Sequence, residues 1–234
     1  MKETICTIPI NDIFGPKEGC PVCRMHDMLE QKYVEYITGA AMMEPDVRTE
    51  TNHKGFCHTH YEKMLQCGKR LQNALILESH LQQLITTYFP EKIKGKPDKK
   101  QLSQLQQMQH SCFVCDKIAW AQSHMFETVF HSFENDPAFR RLYSEQPYIC
   151  LPHYTQLMQA ATAKNGIGTK ALGDFYQQTA ALAGNYMKML KKDISHFCSM
   201  YDYRNRGGDW GNAKDAIERS VLFLTAEPLQ TGDA

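Results

Sequence analysis

The chain contains four short pairs of residues of the kind that bind metal ions. Two pairs are CxxC and two are CxxH, and in chain order they are Cys20 with Cys23, Cys57 with His60, Cys112 with Cys115, and Cys150 with His153. Thiolate and imidazole groups are preferred zinc donors, and a structural zinc ion takes four of them in a tetrahedron. Two donors three residues apart near a helix start can face one ion. The eight residues therefore predict two Cys3His sites that hold two zinc ions per chain.

These pairs recur in a fixed register. The two CxxC pairs start 92 residues apart and the two CxxH pairs 93 residues apart. Pro45 and Pro137 keep the first of these offsets, and so do Arg48 and Arg140. A constant offset shared by several residue types is the signature of an internal repeat. We therefore predict an internal duplication, and chance spacing of buried structural cysteines is the weaker interpretation.

The repeat also distinguishes the two histidines that follow Cys57. His58 corresponds to Leu151 in the second copy, whereas His60 corresponds to His153. Only His60 therefore has a counterpart that can bind metal. We predict that His60 is the ligand and that His58 is not.

We expect each copy to pair its own CxxC with its own CxxH. Thirty-three residues separate Cys23 from Cys57. A helix of about 17 residues rises about 25 Å, and the remaining residues can return over that distance. The spacing leaves open a swapped pairing, in which the CxxC of one copy shares an ion with the CxxH of the other.

Zinc is the favoured metal, and an iron–sulfur cluster is the alternative. Three thiolates with one imidazole can bind either, but clusters more often use four thiolates. A redox dithiol of the thioredoxin type is disfavoured, because no βαβ pattern surrounds the CxxC pairs.

The elements that must position these donors are predicted to be helices. Apolar residues recur at intervals of three and four after each CxxC. A further stripe of apolar residues with the same spacing runs from Leu172 to Tyr201. Glu44-Pro45 and Asp136-Pro137 predict the starts of short helices. The fold class is therefore all-α, an internally duplicated helical bundle with the helix from Leu172 as its central element.

Two further helices complete this prediction. One begins at Cys57 and continues to about Tyr88, with Gly68 as a weak point. The other runs from Trp210 to about Leu224. No strand is predicted beyond the N-terminal residues 1–19.

Length and composition predict one compact unit. The 234 residues are 42% hydrophobic, which is enough for one full-sized domain. Within that unit we predict the following parts: an extended N-terminal arm over 1–19, a first helical repeat over 20–110 with a basic linker at 91–100, a second helical repeat over 111–205, and a C-terminal helix and tail over 206–234.

The composition disfavours nucleic acid and membrane partners. Twenty-six basic residues balance 26 acidic ones, so the chain has no excess positive charge for a polyanion. No apolar run approaches the roughly 18 residues of a membrane helix, and the N-terminus lacks the apolar stretch of a secretory signal. Nine cysteines are many for a reducing compartment, where disulfides do not persist, so metal binding or thiol chemistry explains them better than disulfide bonds. We therefore expect a cytoplasmic protein.

A second candidate site follows the long helix. Asp202, Arg204, Arg206 and Trp210 lie within nine residues of one another. They are interpreted either as a helix cap with surface ion pairs or as a pocket in which the two arginines bind a carboxylate or phosphate group.

The chain resembles a bacterial family defined only as a domain of unknown function, whose members carry CPxC and GFCxxH motifs. Here these motifs are Cys20-Pro21-Val22-Cys23 and Gly55-Phe56-Cys57-His58-Thr59-His60. The resemblance covers most of the chain and implies a helical, metal-binding protein, but it implies no activity. In the second copy Tyr148-Ile149 replaces Gly-Phe, and the ligands are unchanged.

Closed four-ligand sites leave no coordination position for water, which disfavours a hydrolytic zinc enzyme. The sequence therefore predicts a zinc-binding interaction or regulatory module for a partner protein or small molecule. The alternative is a redox protein, either an iron–sulfur electron carrier or a thiol/zinc redox sensor. An enzyme that uses the pocket around Arg204 is a third possibility.

Overall fold

All regular structure in the described part of the chain is helical. The computed structural model describes residues 7–91, 96–205 and 207–228. Within these ranges it contains three short 3₁₀ turns, no strand and eleven α-helices, which are α1 (Ile8–Phe14), α2 (Pro21–Ile37), α3 (Pro45–Lys54), α4 (His58–Gln66), α5 (Arg70–Tyr88), α6 (Lys99–Gln109), α7 (Phe113–Asn135), α8 (Pro137–Ser144), α9 (Leu151–Ala161), α10 (Thr169–Ser199) and α11 (Ala216–Thr225). The all-α prediction is confirmed. The internal duplication stays a prediction.

The chain divides into two compact units. The first unit combines the described residues up to Met25 with those from Ser123 onward, and the second unit contains His26–Gln122. The boundaries fall inside α2 and α7. This division differs from the predicted repeats, because the first CxxC belongs to the same unit as the C-terminal half of the chain.

Every CxxC and CxxH pair lies at the start of a helix. Cys57 and Cys150 are the N-cap residues of α4 and α9, with extended backbone at φ of −73° and −67°. Cys20 and Cys112 directly precede α2 and α7. At a helix start the backbone N–H groups have no carbonyl partner within the helix, which favours anionic groups nearby. Thiolates are therefore compatible with all four positions.

The predicted extended arm over 1–19 is wrong for α1. Ile10, Ile13 and Phe14 have the i, i+3, i+4 spacing of one helix face, and they are buried, at 1%, 4% and 1% exposure. Arg24 holds the end of α1, since its Nη2 donates to the Ile13 carbonyl at 2.6 Å. Burial of this apolar face stabilises a helix that is too short to persist alone. The first six residues of the arm lie outside the described residues.

The continuous helix predicted from Cys57 to Tyr88 is also wrong. Gly68 has a φ of +70°, a left-handed conformation that ends α4 and that glycine adopts without steric cost. The Gly68 N–H donates to the Leu65 carbonyl at 3.0 Å and satisfies one of the last carbonyls of the helix. The weak point is therefore a break between two helices.

Two element boundaries near the predicted linker and the C-terminus also change. Helix α6 was not predicted. It includes the last two residues of the predicted linker at 91–100. The helix starts there because the Asp98 side chain accepts a hydrogen bond from the Lys100 N–H at 2.8 Å and caps the helix. Residues 92–95 of the linker lie outside the described residues. The last helix begins at Ala216 instead of Trp210, after a 3₁₀ turn over Gly211–Ala213.

The first unit has an aromatic core around α10. Its central side chains are 0–1% exposed and are Phe14, Phe133, Phe139, Tyr143 and Phe175. The ring centroids of Phe133 and Phe175 lie 5.1 Å apart at an interplanar angle of 86°, an edge-to-face arrangement that aromatic pairs prefer. The Tyr143 hydroxyl is hydrogen-bonded to Thr179 Oγ1 at 2.7 Å. Helix α10 packs against α8, α9 and α11, so it is the central element of this unit.

In the second unit, α5 packs against α3 and α4. The buried apolar side chains of this unit include Met64 on α4 and Ile76 on α5, at 1% and 3% exposure. His80 is also buried and lies 2.9 Å from the Asn52 carbonyl through Nδ1, which ties α5 to the end of α3. No helix in the described ranges combines the length and the apolar character needed to cross a lipid bilayer.

Candidate metal centres

The eight predicted donor residues gather in two clusters. The first cluster consists of Cys20, Cys23, Cys150 and His153, and the second cluster consists of Cys57, His60, Cys112 and Cys115. In each cluster the four donor atoms all lie within 4.8 Å of one another. The first cluster belongs to the first unit and the second cluster to the second unit. Both could hold a metal ion.

The expected pairing within each copy is wrong, and the swapped pairing is found. The loop before Cys57 is hydrogen-bonded to the start of α7: the Phe113 N–H donates to the Gly55 carbonyl at 3.0 Å, and Ser111 Oγ donates to the Lys54 carbonyl at 2.6 Å. These bonds place the CxxH of one copy beside the CxxC of the other.

Distances in the first cluster are close to those of a tetrahedral site for one ion, with the shortest between His153 and Cys150. His153 Nδ1 lies 3.0 Å from Cys150 Sγ, 3.3 Å from Cys23 Sγ and 3.7 Å from Cys20 Sγ. The Sγ atoms of Cys23 and Cys150 are 3.8 Å apart. Zinc–sulfur bonds of about 2.3 Å and zinc–nitrogen bonds of about 2.0 Å place tetrahedral donors about 3.5–3.8 Å from one another. The residues therefore fit zinc.

The second cluster repeats this arrangement. His60 Nδ1 lies 3.0 Å from Cys57 Sγ, 3.3 Å from Cys112 Sγ and 3.4 Å from Cys115 Sγ. The Sγ atoms of Cys57 and Cys115 are 3.9 Å apart. In both clusters the histidine presents Nδ1 to the three sulfur atoms, so the donor sets match atom for atom.

The thiol groups are too close together to be anionic all at once without a cation. In the second cluster, hydrogen bonds from Cys115 and His60 lower the pKa of Cys112 to about 3, and the same proximity to Cys112 raises the pKa of Cys115. In the first cluster, proximity to Cys20 raises the pKa of Cys150 to about 12. A bound divalent cation removes this repulsion and holds all three sulfurs as thiolates.

The second cluster has a buried carboxylate behind its histidine. Glu30 Oε1 lies 3.2 Å from His60 Nε2, the ring atom that faces away from the sulfurs, and Lys63 contacts the other carboxylate oxygen. His60 Nε2 has no aligned hydrogen bond in this geometry, so the contact is a close approach of the ring nitrogen to the carboxylate. Contact with His60, reinforced by Lys63, lowers the pKa of Glu30 to about 2.

A carboxylate in this position orients a ligating imidazole and selects the ring nitrogen that faces the metal. Among the described residues, no carboxylate oxygen lies within ion-pair distance of the His153 ring. Sequence reasoning missed Glu30, because its position 30 residues before His60 belongs to neither motif.

The two clusters also differ in burial. In the first cluster Cys20 and Cys150 are 2% and 1% exposed, and Cys23 is partly buried. In the second cluster only Cys112 is buried among the cysteines, at 4% exposure, and Cys115 is exposed. His58 is not among the donors, and its side chain is 86% exposed.

The second candidate site is only partly assembled. Arg204 binds Asp202 through Nε and Nη2, at 3.1 Å and 2.6 Å from the carboxylate. Trp210 packs its ring against Phe197 and Tyr201, with centroids 5.4 Å and 5.9 Å away. Arg206 lies outside the described residues. This arrangement fits the helix-end interpretation with a surface ion pair, and the anion pocket stays a prediction.

Comparison with known proteins gives the family. Neither the curated proteins nor the solved structures contain a match to this chain. A family model described as "Family of unknown function (DUF6062)" matches residues 1–230. Because that match covers nearly the whole sequence, with both clusters inside it, the chain belongs to the DUF6062 family, a family of unknown function.

Proposed function

We propose that this protein binds two zinc ions, one in each cluster, and that the ions hold a helical module that interacts with a partner or regulates one. The observation that carries this proposal is the convergence of three thiols and one imidazole on a single point in each cluster. Four protein donors fill the coordination of zinc and leave no open position for substrate or water. The proposed role of the metal is therefore structural.

The donor distances support zinc over the iron–sulfur alternative. An iron–sulfur cluster places several iron and sulfide atoms between its protein ligands, so the ligand atoms lie farther apart than the donors of one ion. Here the sulfur atoms approach to 3.8 Å in the first cluster and 3.9 Å in the second. One ion per cluster fits these separations.

An exposed apolar stripe on α5 supports an interaction role. Leu77, Leu81 and Ile85 are spaced four residues apart on one face of the helix, and they are 37%, 54% and 52% exposed. Contiguous exposed apolar side chains of this kind are typical of surfaces that bind a partner helix. The eight cysteines in the described ranges carry free thiols, and metal binding through such thiols fits the proposed location in the reducing cytoplasm.

Elemental analysis of anaerobically purified protein tests the metal. The expected result is a colourless protein with two zinc ions per chain, and a brown protein with iron and acid-labile sulfide would contradict the proposal. A Cys67→Ser/Cys198→Ser variant, which changes two exposed thiols outside both clusters, should keep both ions.

Pairs of substitutions test the swapped pairing. Cys57→Ser/Cys112→Ser changes one cluster twice and should lose one zinc ion, whereas Cys20→Ser/Cys57→Ser changes both clusters and should lose two. If each copy paired its own CxxC with its own CxxH, Cys57→Ser/Cys112→Ser would lose two zinc ions and Cys20→Ser/Cys57→Ser would lose one.

Photo-crosslinking in cells tests the interaction role. A photoreactive amino acid in place of Leu81 should form an adduct with a partner, and the same residue in place of the exposed neighbour Gln82 should not, because Gln82 lies on another face of α5. The absence of an adduct at position 81 would contradict partner binding through this stripe.

A further inference from the structure

The second cluster contains an exposed cysteine. Cys115 is exposed and Cys57 is partly buried, so solvent reaches two of the three sulfur residues of this cluster. In the first cluster Cys20 and Cys150 are almost fully buried, at 2% and 1% exposure, and Cys23 is partly buried, so this cluster contains no exposed cysteine. Oxidation of cysteine follows thiolate character and access of the oxidant to sulfur. Zinc coordination makes the sulfurs of both clusters thiolates, so access is the property that differs.

We propose that Cys115 is a site of oxidative modification, at which hydrogen peroxide or an organic hydroperoxide reacts and causes the second cluster to release its metal while the first cluster retains its own. This inference rests on the proposed zinc binding and assigns a regulatory role to one of the two sites.

The proposed chemistry involves only the sulfur atoms of the chain. The Cys115 thiolate attacks one peroxide oxygen, the O–O bond breaks, and the products are a sulfenic acid and a hydroxide ion, or an alkoxide ion from an organic hydroperoxide. The Cys57 thiolate, whose Sγ lies 3.9 Å from Cys115 Sγ, then attacks the sulfenic sulfur, forms the S–S bond and expels a second hydroxide. Two thiolates lose two electrons in total, and one peroxide accepts both. Zinc has no redox chemistry and takes no electron.

Loss of two thiolates explains why the metal leaves. The disulfide removes Cys57 and Cys115 from the donor set, so Cys112 and His60 are left as ligands. Structural zinc sites use four protein donors, and two do not hold the ion against solvent. Reduction of the disulfide restores all four donors, so the release is reversible.

The test uses the full chain loaded with two zinc ions. Hydrogen peroxide is added, and released zinc is followed with a colorimetric chelator. One equivalent should be released in a fast phase, and the second should be released at least about tenfold more slowly, in line with the difference in sulfur access. Peptide mass spectrometry of the fast product should find a disulfide between Cys57 and Cys115. Dithiothreitol with added zinc should restore the second equivalent.

Matched variants assign the fast phase. Cys115→His replaces the exposed cysteine by an imidazole donor, so its zinc content is measured first; when two ions are bound, the fast phase should be absent. Cys67→Ser/Cys198→Ser removes exposed thiols that bind no metal and should leave the fast phase unchanged. If Cys115→His fails to fold, the disulfide found in the unmodified chain still decides the result.

Three results would overturn the inference: equal release rates for both ions, a fast product whose disulfide contains Cys20, Cys23 or Cys150, or retention of both ions under peroxide. A chain purified without zinc is a different result, because it would contradict the proposed function and not only the role of Cys115.

Discussion

The two clusters share their donors and differ in their surroundings. Both combine a CxxC and a CxxH pair at helix starts, and both bring Nδ1 of the histidine within 3.0–3.7 Å of three sulfurs. The first cluster lies in the unit with the aromatic core, and two of its cysteines are almost fully buried. The second has an exposed cysteine and a carboxylate behind its histidine. The two clusters therefore share the geometry of their donors and differ in solvent access and in the groups that contact the histidine.

The loops that precede the two CxxH pairs are also held in different ways. Gly55 has a φ of +63°, and a Cβ atom there would lie 3.2 Å from His80 Nε2. The corresponding residue in the other loop is Tyr148, which stacks on Tyr186 with ring centroids 3.9 Å apart. One loop therefore depends on a close backbone approach and the other on aromatic packing, yet both place a cysteine at a helix N-cap.

The largest expected effect comes from Cys150→Ser, which removes a buried donor of the first cluster. Structural zinc contributes about 10–16 kcal/mol of apparent binding free energy in zinc-finger peptides. We expect this variant to lose one zinc ion and the hydrogen-exchange protection of α8, α9 and α10. The second unit should keep its protection. Hydrogen exchange with mass spectrometry measures the protection of each helix, and Cys198→Ser is the control. Loss of protection in both units would contradict two separable sites.

Phe175→Ala should be the most damaging substitution outside the clusters. The side chain is 0% exposed and contacts the rings of Phe130, Phe133 and Tyr143. Truncation of a buried phenylalanine costs about 3–5 kcal/mol of unfolding free energy, which urea denaturation of the zinc-loaded protein measures. Tyr143→Phe removes only the hydroxyl that binds Thr179 and should cost about 1 kcal/mol. Equal costs for the two variants would indicate that the ring packing contributes little.

Glu30→Gln should weaken zinc binding at the second cluster alone. Loss of a carboxylate that orients a ligating histidine lowers metal affinity about 10–100-fold. Competition with a chelator of known affinity measures the zinc affinity of each site. Glu62→Gln, on α4 and paired with the exposed His58, is the matched control and should change neither. An unchanged affinity in Glu30→Gln would show that the carboxylate serves the fold and not the metal.

The smallest predicted effect is a difference in thermal stability between substitutions of two glycines in the second unit. Gly55→Ala and Gly68→Ala both place a side chain at positive φ, which costs about 1–3 kcal/mol. Only Gly55 has a neighbour that a Cβ atom would approach, because nothing lies within 4 Å of the added atom at Gly68. Thermal denaturation should therefore show a larger loss for Gly55→Ala. Equal losses would mean that His80 moves aside without cost.

Much of this structure could be predicted from the sequence, because apolar periodicity and ligand spacing are local. The helices that follow the CxxC pairs, the short helices at Pro45 and Pro137 and the long helix α10 all follow from such patterns. Helix α1 could not, since its seven residues depend on burial against residues far along the chain.

The pairing of the donors could not be predicted for a different reason. A repeat shows that two sets of residues are equivalent, but it does not show which set contacts which. Chain length permits both pairings, and hydrogen bonds such as Phe113 to Gly55 decide between them. Glu30 could not be predicted either, because it approaches His60 only after α2 and α4 have packed.

The swapped pairing has a consequence for synthesis on the ribosome, where the chain emerges from its N-terminus. Once His60 has emerged, Cys20, Cys23, Cys57 and His60 offer a full set of four donors, although in the folded structure they lie in two different clusters. The correct partners of Cys57 and His60 arrive at Cys115, and those of Cys20 and Cys23 only at His153. A zinc ion captured early must therefore change ligands, or be kept away, before the nascent chain reaches its final fold.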